Sequence, residues 1–285
     1  MNNLDIIFSC DKKFIIPLIT IINSIIKNSS CPDKLRFNIV CDDDIFFYEK
    51  LNILKENNNY NFTINCITLN KLNQNEIQYI NKYSYSNDLH TRSIYNFSRF
   101  WFGELFPDLD YIIYLDIDMI IEGDIFELSN FKFNDDYFFA SVIGTITNKY
   151  KIKDMLIQRK FRIDNGIKNN DLAFNAGLFV TSLQYWKKHK ILNKLKNIIE
   201  MRFKDRNLYR FGTQPPLNIV FYKKIIDISD KNWMVSTLGW SKPSKESVES
   251  IEKGHAKCLH WSGPKKAWDE NGSYRQLYLK YNLIN

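Results

Sequence analysis

Two aspartates one residue apart close the segment Tyr111-Ile112-Ile113-Tyr114-Leu115-Asp116-Ile117-Asp118. The five apolar or aromatic residues before them predict a strand buried on both faces, as in a parallel sheet covered by helices. Side chains two apart in an extended chain share one side. Asp116 and Asp118 can therefore reach one cation while Ile117 turns back into the core. The carboxyl ends of strands in open α/β sheets are also where ligands bind. The spacing alone describes two solvated acids in a turn equally well, because Asp is frequent after strands. Asp124 follows closely, and a second metal held there would turn the reading toward phosphoryl transfer or a nuclease.

Other chemistry-bearing residues are scattered. Arg99 lies among aromatics in Tyr95-Asn96-Phe97-Ser98-Arg99-Phe100-Trp101. Such an arginine is expected to snorkel its head to solvent, with a contact to a bound anion left open. In Phe174-Asn175-Ala176-Gly177 the small residues let a ligand approach the backbone, although a strand start explains them too. His260-Trp261-Ser262-Gly263-Pro264-Lys265-Lys266-Ala267-Trp268 puts an imidazole, a glycine turn and a lysine close together. Taken alone, such a histidine is more often structural than a ligand. The triple acid Asp42-Asp43-Asp44 reads as the cap of a helix starting near Ile45.

The elements that must position these residues follow from periodicity. A strand Leu4 to Cys10 precedes a helix Phe14 to Asn28, whose Pro17 falls in the tolerant first turn. Strands Leu35 to Cys41 and Phe62 to Leu69 flank the capped helix, giving β-α-β-α-β, the first half of a nucleotide-binding sheet. An aromatic-rich helix spans Asn87 to Phe106 and is stopped by Pro107. Phe138 to Ile143 is another strand, and Thr145 to Asn170 is a polar excursion or lid-like loop with a short helix. The 173–180 segment leads into a helix from Leu183 to about Phe203, and Gly212-Thr213-Gln214-Pro215-Pro216 opens a short helix. The last third reads as loop-rich.

Composition bounds the function. A chain of 285 residues, 45% hydrophobic and 25% charged, can bury a large core and is globular. The net charge of +7 comes mainly from dispersed lysines, which argues for a solvated surface. No interleaving of arginines and stacking aromatics points to nucleic acid. The five cysteines lack CxxC spacing, so reduced thiols are expected. No apolar run is long enough to span a bilayer, and the apolar start reads as a strand, so a cytoplasmic protein is expected, with peripheral membrane contact through lysines possible. The absence of GxGxxG, P-loop and GxSxG motifs disfavours a dehydrogenase, an ATPase and a serine hydrolase.

In order along the chain, the pieces resemble the family 8 retaining glycosyltransferases, which include bacterial lipopolysaccharide galactosyl- and glucosyltransferases and glycogenin. The resemblance rests on Phe8-Ser9-Cys10-Asp11-Lys12-Lys13-Phe14, Phe97-Ser98-Arg99, Tyr114-Leu115-Asp116-Ile117-Asp118 and Phe174-Asn175-Ala176-Gly177, then Gln214 with Leu217-Asn218, and His260-x-x-Gly263-x-x-Lys266. It implies an α/β fold of glycosyltransferase A type: one Rossmann-like domain with a mostly parallel mixed sheet and a loop-rich helical C-terminal part. Residues 1–130 would form the nucleotide-binding half. Residues 131–285 would form the acceptor and sugar half with the metal-ligand loop.

The implied activity is transfer of a hexose from UDP-galactose or UDP-glucose to a glycan acceptor, in bacterial surface polysaccharide synthesis. Asp116, Asp118 and His260 would hold Mn²⁺, with Mg²⁺ possible, a donor set suited to a hard octahedral ion. Lys266 would meet the β-phosphate, Asp11 the uracil imide and Phe14 the base. Arg99 would contact the sugar or phosphates, and Asn175, Ala176 and Gly177 would line the sugar pocket. Ser9, Ile117 and Gly263 complete the donor-binding set, and Gln214, Lys266 and Asn175 the catalytic one. Thr213 precedes Gln214 where the family commonly has an acid, and Gly144 stands where some members carry one. The donor hexose is therefore not inherited from any relative. Gln214 is a poor nucleophile, so front-face substitution is expected over a covalent intermediate. The alternative is a non-catalytic sugar-nucleotide or glycan-binding relative.

Overall fold

The computed structural model describes residues 2–84, 93–144, 150–229, 232–240 and 245–284. Seven strands form one sheet in the order β3-β2-β1-β4-β7-β6-β8: β1 is Leu4–Ser9, β2 Leu35–Cys41, β3 Thr63–Thr68, β4 Tyr111–Leu115, β6 Phe139–Ile143, β7 Phe174–Ser182 and β8 Ile225–Asp227. The β3-β2-β1-β4 half is parallel, β7 is antiparallel to both β4 and β6, and β8 returns parallel to β6. The expected β-α-β-α-β opening is present, with α1 at Ile15–Asn28 and α2 at Asp44–Glu56, and α3 (Gln74–Tyr83) follows β3. Pro17 is buried in the first turn of α1. Asp43 caps α2, its Oδ1 accepting from the Phe46 amide at 3.0 Å. All five cysteines are free thiols.

Strand β4 is buried on both faces, as its unbroken apolar run requires. Ile113 and Leu115 join the core under α1 and α2, whereas Ile112 and Tyr114 join an aromatic core on the opposite face. That second core is a run of stacked rings: Phe179 lies 4.9 Å from both Tyr114 and Phe139, and Phe139 lies 4.1 Å from Phe221.

Several expected elements differ in extent. The helix expected over Asn87 to Phe106 has residues up to 92 outside those described. From there on it is α4 (Ile94–Ser98), a 3-10 turn Arg99–Trp101 and α5 (Phe102–Leu105). The Thr145 to Asn170 excursion, apart from residues 145–149, which lie outside those described, contains α6 (Ile152–Met155) and α7 (Arg159–Asp164). Their apolar residues pack with Leu208 and Tyr209 in a small core of their own. The helix expected from Leu183 to Phe203 is broken into α8 (Leu183–Lys188) and α9 (Ile191–Lys204), because Lys190 adopts a left-handed φ of 50°. The helix α10 is Gln214–Val220, with Pro215 and Pro216 accommodated at its start.

The last third holds more regular structure than its sequence suggests: α11 (Lys245–Glu252), β9 (Cys258–His260) and α12 (Arg275–Leu279). Strand β9 pairs antiparallel with β5 (Met119–Ile121), placing His260 opposite Met119. Ser24 and Asn28 of α1 bind both backbone groups of Ile121, at 3.0 and 2.9 Å, and fix this two-stranded sheet to the first core. Among the described residues, no helix is long and apolar enough to cross a membrane.

Removing the Phe179 ring from the middle of the aromatic stack should leave a cavity. Phe179→Ala is expected to lower unfolding free energy by about 3–5 kcal/mol, read as a shift of the urea midpoint.

Candidate functional site

The Asp116-Ile117-Asp118 segment is where the chain leaves one sheet and enters the other. Asp116 prolongs β4 by one residue, its amide donating to the Gly177 carbonyl of β7 at 2.7 Å. The chain then bends at Ile117 and Asp118, and the Asp118 carbonyl accepts from the Trp261 amide just beyond β9, at 2.9 Å. The two acids thus converge across a bend between sheets and not along one continuous strand. Ile117 is half-buried and packs on the first core.

This crossing brings together the three groups that sequence reasoning assigned to a metal. Ligand atoms of Asp116, Asp118 and His260 lie within 4.8 Å of one another. Asp118 Oδ1 is 3.1 Å from His260 Nε2, close to the separation of about 3 Å for neighbouring donors around an octahedral ion bound at about 2.1 Å. The buried His260 Nδ1 has no hydrogen-bond partner among the described residues. A side chain at Gly177 would put its Cβ 2.8 Å from both Asp116 Oδ2 and His260 Cε1. The donor set and its spacing fit a divalent cation such as Mn²⁺ or Mg²⁺, and the glycine keeps the space open.

Each carboxylate has its own protein cation. Arg99 is not a snorkelling side chain: it is 4% exposed, its guanidinium held among polar and aromatic partners. It donates to Asp116 Oδ1 at 2.9 Å, to the Ala176 carbonyl at 3.0 Å and to both oxygens of Asn96, and it lies 4.4 Å from the centre of the Tyr114 ring. The Tyr114 hydroxyl adds a second bond to Asp116 Oδ1 at 2.6 Å. Burial pushes the Tyr114 phenol well above its ordinary pKa, so it stays a donor. Lys266 donates to Asp118 Oδ2 at 2.6 Å and to the Trp261 carbonyl at 3.1 Å. Burial by itself would raise the Asp118 pKa, but Lys266 and His260 reverse this and hold the carboxyl well below the usual range.

The pocket wall is built by amides. Gln214 Oε1 accepts from the Ala176 amide at 3.1 Å, and Asn175 Oδ1 accepts from the Gly177 amide at 2.8 Å. Asn218 brackets Phe174, accepting from its amide at 2.9 Å and donating to its carbonyl at 3.0 Å. Thr213 donates to Asn96, which joins this wall to the Arg99 network. Gly263 has a φ of +123°, and a Cβ there would meet the Gly239 backbone at 2.9 Å, so the turn carrying Lys266 requires glycine.

The residues assigned to the base lie at the end of β1. Asp11 Oδ1 is buried without a partner among the described residues, while Oδ2 is 3.3 Å from the Lys13 ammonium. The Phe14 ring is 6.2 Å from that of Trp268. The Ser9 hydroxyl is engaged within the protein, on Tyr95 O at 2.7 Å and the Ser98 hydroxyl at 2.6 Å, and ties α4 to β1. Asp124 lies outside the metal-capable group and caps the turn Ile125–Leu128.

Sequence reasoning missed Tyr114, Asn96 and Trp268. Tyr114 stands two residues before Asp116 and Asn96 three before Arg99, spacings that place each pair on one side of a strand or a helical turn. For Trp268 against Phe14 no local signal exists.

With this geometry in place, the comparisons settle the family. The sequence matches the family described as Glycosyl transferase family 8 over residues 5–272. The chain belongs to glycosyltransferase family 8. This family 8 chain is 34% identical over 203 residues to glycosyltransferase 8 domain-containing protein 1 of Homo sapiens, covering 66% of this chain and 54% of that protein. It is 30% identical over 203 residues to glycosyltransferase 8 domain-containing protein 2 of Homo sapiens, covering 64% and 56%. The chain spans about half the length of the curated relatives it matches. Its fold is similar to that of galactosyltransferase LgtC in complex with donor and acceptor sugar analogs, with a TM-score of 0.70 at 18% identity, covering 99% of this chain and 98% of that one. It is also similar to glycosyltransferase GlyE in Streptococcus pneumoniae TIGR4, with a TM-score of 0.65 at 17% identity, covering 100% and 61%. The family 8 chain therefore has the mostly parallel mixed sheet that the resemblance implied.

Two outcomes follow from the site. Gly177→Ala should abolish thermal stabilisation by Mn²⁺, because its methyl group enters the space between Asp116 and His260; calorimetry with and without the ion reads this. The pKa of Asp118 is lower folded than unfolded, so between the two values the unfolded chain binds more protons and stability falls as pH falls. Asp118→Asn is expected to flatten the acid limb of the stability profile below about pH 4, measured by urea unfolding across pH.

Proposed function

We propose that this chain is a metal-dependent retaining glycosyltransferase that moves a hexose from UDP-glucose or UDP-galactose to a glycan hydroxyl. The observation that carries the reading is the convergence of Asp116, Asp118 and His260 from two sheets, with Lys266 on the same carboxylate. In this reading residues 1–130 carry the nucleotide, and residues 131–285 carry the acceptor, the sugar and the metal-ligand loop of one domain. Asp116, Asp118 and His260 hold Mn²⁺ or Mg²⁺, which when bound supplies Lewis-acid charge to the diphosphate.

The chain's own groups do the rest. The unpartnered Asp11 oxygen is an acceptor suited to the uracil imide, and Phe14 offers the base a ring face. Lys266 places its ammonium on the β-phosphate, where charge grows as the bond from the anomeric carbon to the phosphate oxygen breaks. The acceptor oxygen bonds that carbon on the same face, and its proton passes to the leaving phosphate oxygen. Gln214 is tied to the Ala176 amide and shapes the pocket with Asn175 and Gly177; as a neutral amide it makes no stable glycosyl ester. The finer assignment, lipopolysaccharide synthesis at the cytoplasmic face of a bacterial membrane, draws its support from the sequence resemblance alone.

A panel of nucleotide sugars with Mn²⁺ tests the proposal. The true donor should raise the melting temperature by mass action and release UDP. His260→Ala should lower donor kcat/KM by at least about a hundredfold. The product should keep the anomeric configuration of the donor, as read by NMR. A glycosyl adduct trapped on any carboxylate would overturn the front-face step. Failure of every UDP-sugar to stabilise the protein would remove the UDP-sugar reading, whereas stabilisation with neither UDP release nor transfer would favour the non-catalytic one.

A further inference from the structure

The four charges at the crossing cancel within the protein. Arg99 faces Asp116 at 2.9 Å and Lys266 faces Asp118 at 2.6 Å. A divalent cation added to this balanced set leaves an excess of two positive charges in a site whose carboxylates are only 28% and 14% exposed. That excess is answered when a diphosphate brings negative charge. The two protein cations are not equivalent. Arg99 is clamped by Asn96, the Ala176 carbonyl and the Tyr114 ring. Lys266 has a flexible stem, is 19% exposed, and sits on the turn that follows Gly263.

We propose that Lys266 is a mobile counter-ion of Asp118 that weakens cation binding until a nucleoside diphosphate draws it away, so that cation and diphosphate bind with positive linkage. The inference rests on the function proposed above and goes beyond it. It assigns Lys266 an opposing role toward the cation before the donor arrives and a supporting role toward the diphosphate afterwards. By reciprocity, the cation must strengthen diphosphate binding by the same factor as the diphosphate strengthens cation binding.

The test is Mn²⁺ titration followed by EPR, with and without UDP, correcting for the Mn²⁺ that UDP chelates in solution. The intact protein is compared with Lys266→Met and with Lys265→Met, which removes an exposed neighbouring charge. Lys266→Met should bind Mn²⁺ alone about tenfold more tightly than the intact protein. The factor by which UDP improves Mn²⁺ binding should shrink, and Lys265→Met should behave like the intact protein. Mn²⁺ binding by Lys266→Met no tighter than by the intact protein, or an undiminished UDP factor, would overturn the inference. Should Lys266→Met fail to fold, Lys266→Gln, which keeps a neutral donor toward Asp118 and the Trp261 carbonyl, takes its place: inorganic pyrophosphate must improve Mn²⁺ binding less in this variant than in the intact protein, and an equal gain would overturn the inference. A protein that never binds UDP would defeat the transferase reading, whereas the arm with Mn²⁺ alone judges the lysine independently.

Discussion

The structure depends on one crossing, at which the chain leaves the large sheet after Leu115 and enters the small one at Met119. Backbone bonds hold both sides of the bend, Asp116 to Gly177 on one sheet and Asp118 to Trp261 on the other. Because the ladders fix the main chain, two like charges can be held close without the chain relaxing to separate them. Their repulsion is offset by Arg99 and Lys266, each on one of them. Removing either cation would leave a poorly solvated carboxylate unpaired, which is costly in a site of low dielectric.

Apart from Lys266, the groups packed around the crossing hold it rigid. The aromatic core backs β4 and β7, and Tyr114 belongs to both systems, its ring stacked on Phe179 and its hydroxyl on Asp116. Ser24 and Asn28 anchor β5 from the other face. The chain of polar side chains from Asn96 through Arg99 and Thr213 to Gln214 and Asn218 joins α4, β7 and α10 by directional contacts. Such networks specify one arrangement of a pocket wall, because apolar packing alone tolerates repacking.

Glycines mark where this rigidity meets the requirement for space. Gly177 lets β7 pass directly beneath Asp116 and His260, and Gly263 lets the Lys266 turn lie on the backbone of Gly239. A methyl group would collide with Met119, Asp116 and His260 at Gly177, and with the Gly239 backbone at Gly263. The pocket is thus shaped by omitted side chains as much as by those present.

The sequence by itself determined the β-α-β-α-β opening, the doubly buried β4, the acidic cap within Asp42-Asp43-Asp44 and the ordered set of motifs that identifies the family. These are local signals: apolar periodicity, capping residues and short spacings survive without knowledge of what lies across the fold. Only the tertiary structure decided that Arg99 is buried on Asp116, that the run from Leu183 breaks at Lys190, and that the apparently loop-rich last third contributes a strand. The physical reason is that each outcome is set by partners distant in the chain. The environment of Arg99 comes from β4 and β7, and the β5–β9 strands are too short for periodicity to reveal. His260 meets Asp118 only because two sheets share a bend, a relation that no spacing within either segment contains.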